Sequence, residues 1–153
     1  MGTMEKTLQT VREYLPAPGT KLGEFIFLNS DTLWTGEMEK GSFVAVAEDR
    51  WSLDSGMFLM VMADGAVYVA DLENNQWVSY CAASFTAFME MMKLYLYALE
   101  TIPDPDGLDD EGMEKCVEAE KILRQKMMEI DPSAIEDTEN FWSTLIEEIG
   151  AGM

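Results

Sequence analysis

Apolar and polar positions follow two different periods along this chain, and the change from one to the other divides it. Near the amino end Met4, Leu8, Val11 and Leu15 recur at the helical interval, with Glu5, Lys6, Arg12 and Glu13 facing away. That spacing predicts an amphipathic helix over residues 3–15. Pro16, Pro18 and Gly19 stop it. From Leu22 to Tyr80 the apolar residues come instead in short runs of strand length: Glu24 to Leu28, Phe43 to Ala47, Met57 to Met62, Ala66 to Ala70 and Trp77 to Tyr80. Met57 to Met62 does not alternate, so both of its faces are expected to be covered. Asp64-Gly65 separates it from Ala66-Val67-Tyr68-Val69-Ala70. Asp-Gly between two such runs predicts a two-residue hairpin turn, because Gly accepts positive φ. Glu73-Asn74-Asn75 supplies a second turn, so residues 57–80 are expected to form a three-stranded antiparallel meander.

After Tyr80 the helical period returns. Ser84 can cap a helix that runs to about Thr101. Its buried stripe is expected at Phe85, Phe88, Met89, Met92, Leu96 and Leu99, and its wet face at Thr86, Glu90, Lys93, Tyr97 and Glu100. Ile102-Pro103-Asp104-Pro105-Asp106-Gly107 breaks it. A helix from about Leu108 to Glu129 follows, with Met113, Cys116, Val117, Leu123 and Met127 as its stripe. Asp109, Asp110 and Glu111 fall in its first turn and Arg124 and Lys126 near its last, each with the sign the helix dipole favours. Asp131-Pro132 is expected to cap and open the final helical segment, which carries Phe141, Trp142, Leu145, Ile146 and Ile149 on one face and ends at Gly150. Helix, strands, then three helical segments is an α+β pattern. It predicts one domain over residues 1–153, an antiparallel sheet of about five strands packed by an N-terminal helix and three C-terminal helical segments.

Composition supports a folded chain and narrows its chemistry. Of 153 residues, 48% are apolar and 25% charged, enough to build a core without staples. Asp plus Glu number 29 against 10 Lys plus Arg, a net charge of −19. Phosphates would be repelled, which argues against nucleic acid or an anionic membrane as partner and allows a cation, a basic protein, or nothing beyond solubility. There is no histidine. That removes Ser-His-Asp and Cys-His catalysis, the usual general base at neutral pH, and imidazole metal ligands. Cys81 and Cys116 stand 35 positions apart with no C-x-x-C, and read as small apolar residues of a reducing compartment. The amino end lacks a basic region followed by an apolar stretch, and no apolar run reaches the roughly 18 residues of a membrane span. A cytoplasmic protein is expected.

Each constellation that could carry chemistry meets a plainer reading. Asp104-Pro105-Asp106-Gly107-Leu108-Asp109-Asp110-Glu111 superficially resembles a calcium loop. Counted from Asp104, however, Gly is fourth rather than sixth, and Lys115 stands where the bidentate Glu belongs. No metal site is inferred. No Gly-rich phosphate cradle occurs, and carboxylate spacing does not show which two acids would face each other at the separation a glycosidase needs; a solvated face is the plainer reading. No catalytic residue and no cofactor is expected, and a carboxylate-based hydrolase is the weakest reading. Among the 13 methionines, Met91 and Met128 lie off the main stripes and are candidates for an adaptable contact surface. Trp77 is expected in the core. Trp34 and Trp51 are flanked by polar residues and are the candidate interface anchors.

Charge is uneven. Residues 1–80 carry 12 acids and 5 bases, and residues 81–153 carry 17 and 5; between Glu100 and Glu120 there are nine acids and Lys115 alone. One reading is a soluble surface. The other is an acidic patch, including Asp104, Asp106, Asp109, Asp110 and Glu111, that steers a basic partner inward.

The order of strand, Asp-Gly hairpin, Val67-Tyr68-Val69 strand, turn, short strand and Ser84-Phe85-x-x-Phe88 helix is similar to the SUKH superfamily of bacterial immunity proteins, relatives of yeast cell-wall-assembly regulators. Asp131-Pro132 followed by Phe141-Trp142-Ser143-Thr144-Leu145-Ile146-Glu147-Glu148-Ile149 resembles its fourth subgroup. Tyr14-Leu15-Pro16 resembles the Leu-Pro after the superfamily's first helix. Ala82-Ala83-Ser84 departs from the Asn-x-Ser usual there. The resemblance implies a protein without catalytic residues that binds and neutralises a polymorphic toxin, often a nuclease or nucleic-acid deaminase. Such enzymes carry basic channels, which an acidic blocker fits. A regulatory or scaffold module of the same fold, binding another protein, is the alternative.

Overall fold

The computed structural model describes residues 2–17, 21–22, 25–28, 33–38, 41–49, 57–71, 76–102, 109–137 and 140–151. Its elements are α1 (Gly2–Tyr14), β1 (Lys21–Leu22), β2 (Phe25–Phe27), β3 (Trp34–Met38), β4 (Gly41–Asp49), β5 (Met57–Met62), β6 (Val67–Asp71), β7 (Gln76–Ala82), α2 (Phe85–Thr101), α3 (Asp110–Ile130), a short 3-10 turn (Pro132–Ala134) and α4 (Phe141–Gly150). The α+β class predicted from the sequence is what is seen. The chain packs as two compact units, residues 1–89 and 90–153.

In the first unit every strand pairing is antiparallel, in the order β1-β2-β4-β5-β6-β7. β3 also pairs with β4, so β2 and β3 share one edge of that nine-residue strand. Among the described residues the sheet has seven strands, the five runs read from the sequence and two more. The two extra ones are β1, of two residues, and β3, whose Gly36 and Glu37 dilute any apolar run. The predicted meander is present as β5, β6 and β7.

The first hairpin differs in detail from the two-residue turn expected. Met62 N–H donates to Ala66 O at 2.8 Å, so three residues, Ala63, Asp64 and Gly65, form the loop. Gly65 N–H closes the turn on Met62 O at 2.9 Å, and Gly65 itself has φ 99°. This is a tight turn followed by a left-handed residue, the arrangement three-residue hairpin loops adopt. Asp64 Oδ1 accepts from Ala66 N–H at 3.0 Å and fixes the exit.

Cross-strand register sorts side chains onto two faces, because opposed residues point the same way. Thr35, Val44, Val61, Val67 and Ala82 form one row, and Trp34, Ala45, Met60, Tyr68 and Tyr80 the row beside it on the other face. The first face meets α1. Thr7 Oγ1 donates to Ala63 O at 3.0 Å, Val11 is fully buried, and Val44, Val61 and Val67 are buried with it. Ser84 Oγ accepts from Ala87 N–H at 3.1 Å and caps α2 as predicted. The first turn of α2 adds Phe85 and Phe88, whose rings stack, and Phe88 meets Phe25 edge-on at 6.3 Å. Thr7, Val11, Val61 and Phe85 thus surround one small cleft.

The second unit is helical. α3 and α4 pack together, and Trp142, Ile146 and Ile149 are buried as their stripe predicted. Trp142 meets Tyr95 at 5.7 Å and Phe141 at 5.0 Å, edge to face. Asp131 does not open α4. Its Oδ1 accepts from Ser133 N–H at 3.1 Å and Ser133 Oγ at 2.6 Å, so it caps the 3-10 turn instead. α4 starts ten residues later behind Asn140, whose Nδ2 donates to Ser133 O. Proline at the first position of a single turn did not propagate into a helix. Leu99 and Val117, placed on buried stripes by the sequence, are 39% and 43% exposed, because each lies at the margin of its stripe. Cys81 and Cys116 are both free and buried.

Candidate protein-binding surfaces

The outer sheet face of the first unit is built from aromatic rings and methionines. Phe43, Met60, Met62 and Ala70 are buried there, with Met38, Phe58, Ala66 and Tyr68 half-buried against them. Trp34 lies over this group. Its ring meets Phe43 at 5.7 Å and Phe58 at 5.3 Å, both edge-on, yet it remains 39% exposed. Tyr68 and Tyr80 meet edge-on at 5.3 Å at the far end of the same row. Gly36 makes the arrangement possible. A Cβ there would stand 2.8 Å from the tip of the Phe43 ring, so any larger residue would force that ring to shift. Trp34, picked from the sequence as an anchor, is thus a rigid, half-exposed aromatic on an apolar face. A side chain pre-ordered in this way loses little entropy when a partner covers it. Phe58, Tyr68 and Tyr80 share its face but were not picked out by the sequence. The signal that finds them is strand register, which single-sequence alternation in a fully apolar run cannot supply.

The acidic candidates lie in the second unit. Asp109 is the N-cap of α3: its Oδ1 accepts from Gly112 N–H at 2.8 Å, and its carbonyl accepts from Met113 N–H at 3.0 Å. One carboxylate oxygen is therefore committed to holding the helix start. Asp110 and Glu111 are exposed on the first turn, and Glu111 makes a loose 3.9 Å pair with Lys115 between two well-exposed side chains. Such a pair contributes little. Trp51, Asp104, Asp106, the turn at residues 73–75 and the side chain of Trp77 lie outside the described residues. Of the described candidates, Trp34 belongs to the sheet unit, and Asp109, Asp110 and Glu111 to the helical unit.

Along α3 the charge reverses sign. Asp110, Glu111, Glu114, Glu118 and Glu120 face a single base, Lys115, in the first half; Lys121, Arg124 and Lys126 face Glu129 in the second. Beside this helix runs a groove of about 410 Å3, walled by Leu94 and Tyr97 from α2 and Ala119 and Ile122 from α3. Met128 is 46% exposed, in keeping with its place off the stripe, whereas Met91 is fully buried and contributes nothing to any surface. No helix among the described residues is long and apolar enough to cross a membrane.

Among known proteins, the family model described as SUKH-4 immunity protein aligns with residues 5–148. No curated protein and no solved structure matches the chain.

Proposed function

The chain belongs to the SUKH-4 immunity protein family, and from that premise we propose that it binds and neutralises a cognate toxin without catalysis. The toxin is a basic nuclease or nucleic-acid deaminase. The acidic start of α3 faces it, with Asp110 and Glu111 meeting its cationic channel, Asp109 beside them, and Asp104 and Asp106 preceding them in the chain. Trp34 and Trp51 are the aromatic anchors. The observation that carries this reading is that Asp110 and Glu111 are exposed on a helix start already capped by Asp109, with only a loose Lys115 contact to Glu111. A toxin that binds phosphates must display Lys and Arg where this surface would sit.

The test is titration of the chain against the toxin domain encoded beside it, at low and high salt. A 1:1 complex that abolishes the toxin's activity is expected, with an on-rate that falls as salt rises. Asp110→Lys with Glu111→Lys should slow association by roughly tenfold. An on-rate indifferent to salt and to both reversals removes this surface from the interface. A second reading, a regulatory or scaffold module, draws on the apolar sheet face, which suits a partner of any charge. It predicts binding that depends on Trp34 and not on salt, and no effect on a neighbouring toxin.

A further inference from the structure

The groove between α2 and α3 plays no part in the reading above. Two large apolar side chains stand over it with much of their surface in water: Tyr97 is 65% exposed and Ile122 46%. The charges around Ile122 have an order that asks for an explanation. Glu118 and Lys126 lie four positions either side of it, and Lys115 and Glu129 lie seven either side. Offsets of four and seven residues return to nearly the same stripe of a helix. All four side chains are exposed, and Lys115, Glu118, Ile122 and Lys126 line the groove itself. The pattern inverts sign about Ile122 at both offsets.

We propose that this face is a self-association surface, on which two copies of the chain pair with their α3 helices antiparallel about a two-fold axis at Ile122. In that arrangement the residue a given number of positions before Ile122 faces the residue the same number after it. Ile122 of each chain meets Ile122 of the other in the groove. Glu118 of each chain faces Lys126 of the other, and Lys115 faces Glu129. Every contact at these offsets is then of opposite sign, and symmetry makes each of them twice. Charge balance favours a second copy over a basic partner here. Residues 115–129 carry four bases and three acids, in a chain whose net charge is −19. Two strongly acidic molecules can approach with least repulsion where each is locally neutral or positive. The proposal goes beyond toxin binding and leaves Asp109, Asp110 and Glu111 outside the paired segment.

Sedimentation equilibrium of the full chain across the micromolar range is the test, with circular dichroism and melting as controls for folding. The chain should sediment as a dimer, and Ile122→Asp, at a half-exposed position, as a folded monomer. Glu118→Lys alone and Lys126→Glu alone should each weaken pairing by roughly tenfold or more, since symmetry turns two attractions into two repulsions. Mixing those two variants is the sharper arm. The first carries a base at both positions and the second an acid at both, so pairing one with the other restores every opposite-sign contact. A heterodimer should form where neither variant pairs with itself. A monomer throughout the range would overturn the proposal. So would a dimer indifferent to Ile122→Asp, or single reversals that weaken pairing without rescue on mixing.

Discussion

The sheet unit and the helical unit expose apolar side chains in different ways. In the sheet unit Trp34 is exposed but seated on the Phe43 and Phe58 rings, in a row set by backbone pairing across β3, β4, β5, β6 and β7. In the helical unit Tyr97, Leu99, Val117, Ile122 and Met128 are all more than a third exposed, on α2 and α3. A strand shows its side chains to two faces, and a neighbouring strand fixes each one. A helix distributes its side chains around a full turn, and packing on one side leaves the margins of the stripe in water. The sheet thus offers a pre-ordered surface, whereas the helices offer an apolar margin ringed with charge. The first is suited to slowing dissociation and the second to electrostatic control of association.

The contrast breaks most readily at the core of the helical unit. Trp142 is fully buried and edge-on to both Tyr95 and Phe141, so Trp142→Ala should cost about 3–5 kcal/mol by lost contact and cavity formation. Urea unfolding reads this directly. In the sheet unit Trp34→Ala removes a half-exposed ring, and its larger effect should be on binding: about 2 kcal/mol or more of toxin affinity, expressed in a faster off-rate with the on-rate little changed. A loss confined to the on-rate would mean that Trp34 is not an anchor. Gly36→Ala sharpens the same point without touching the tryptophan. The added methyl collides with the Phe43 ring, and repacking should cost about 2 kcal/mol and alter the near-ultraviolet circular dichroism of the aromatic face. An unchanged spectrum and melt would mean the ring is not held as described.

What the sequence revealed follows the same division. Helices α1 to α4 and five strands were legible because their apolar periods are long or bounded by turn residues. β1 was too short to carry a period, and β3 mixes Trp34, Thr35, Gly36, Glu37 and Met38 so that no run stands out. Periodicity located each helical stripe but not its width, which is why Leu99 and Val117 were placed inside and Met91 outside. Asp131-Pro132 is a good local start signal, yet one satisfied cap stabilises a single turn as readily as a helix. Of the candidate site, the acids of the first turn of α3 were legible as charge. That Asp109 is bound to a backbone amide while Asp110 and Glu111 stay exposed depends on the residue at which the helix begins. That boundary is the feature a composition pattern informs least.

The smallest effect separates those two kinds of acid. Asp109 serves α3 through Oδ1, which accepts the Gly112 amide, and through its charge at the positive end of the helix. Asp109→Asn keeps an amide oxygen in the same place and removes only the charge; Asp109→Ala removes both. If the hydrogen bond dominates, the alanine variant loses about 1 kcal/mol of stability and the asparagine variant only a few tenths. Asp110→Asn, which disturbs no cap, should leave stability within about half a kcal/mol of the parent. Toxin association should rank differently. Asp109→Asn and Asp110→Asn should slow it to a similar, small extent, because steering counts charges and is indifferent to which of them holds the helix. Equal destabilisation by Asn and Ala at position 109 would show that charge, not the cap, secures this helix start. A slower on-rate for the alanine variant alone would show that the toxin reads the shape of this turn rather than its field.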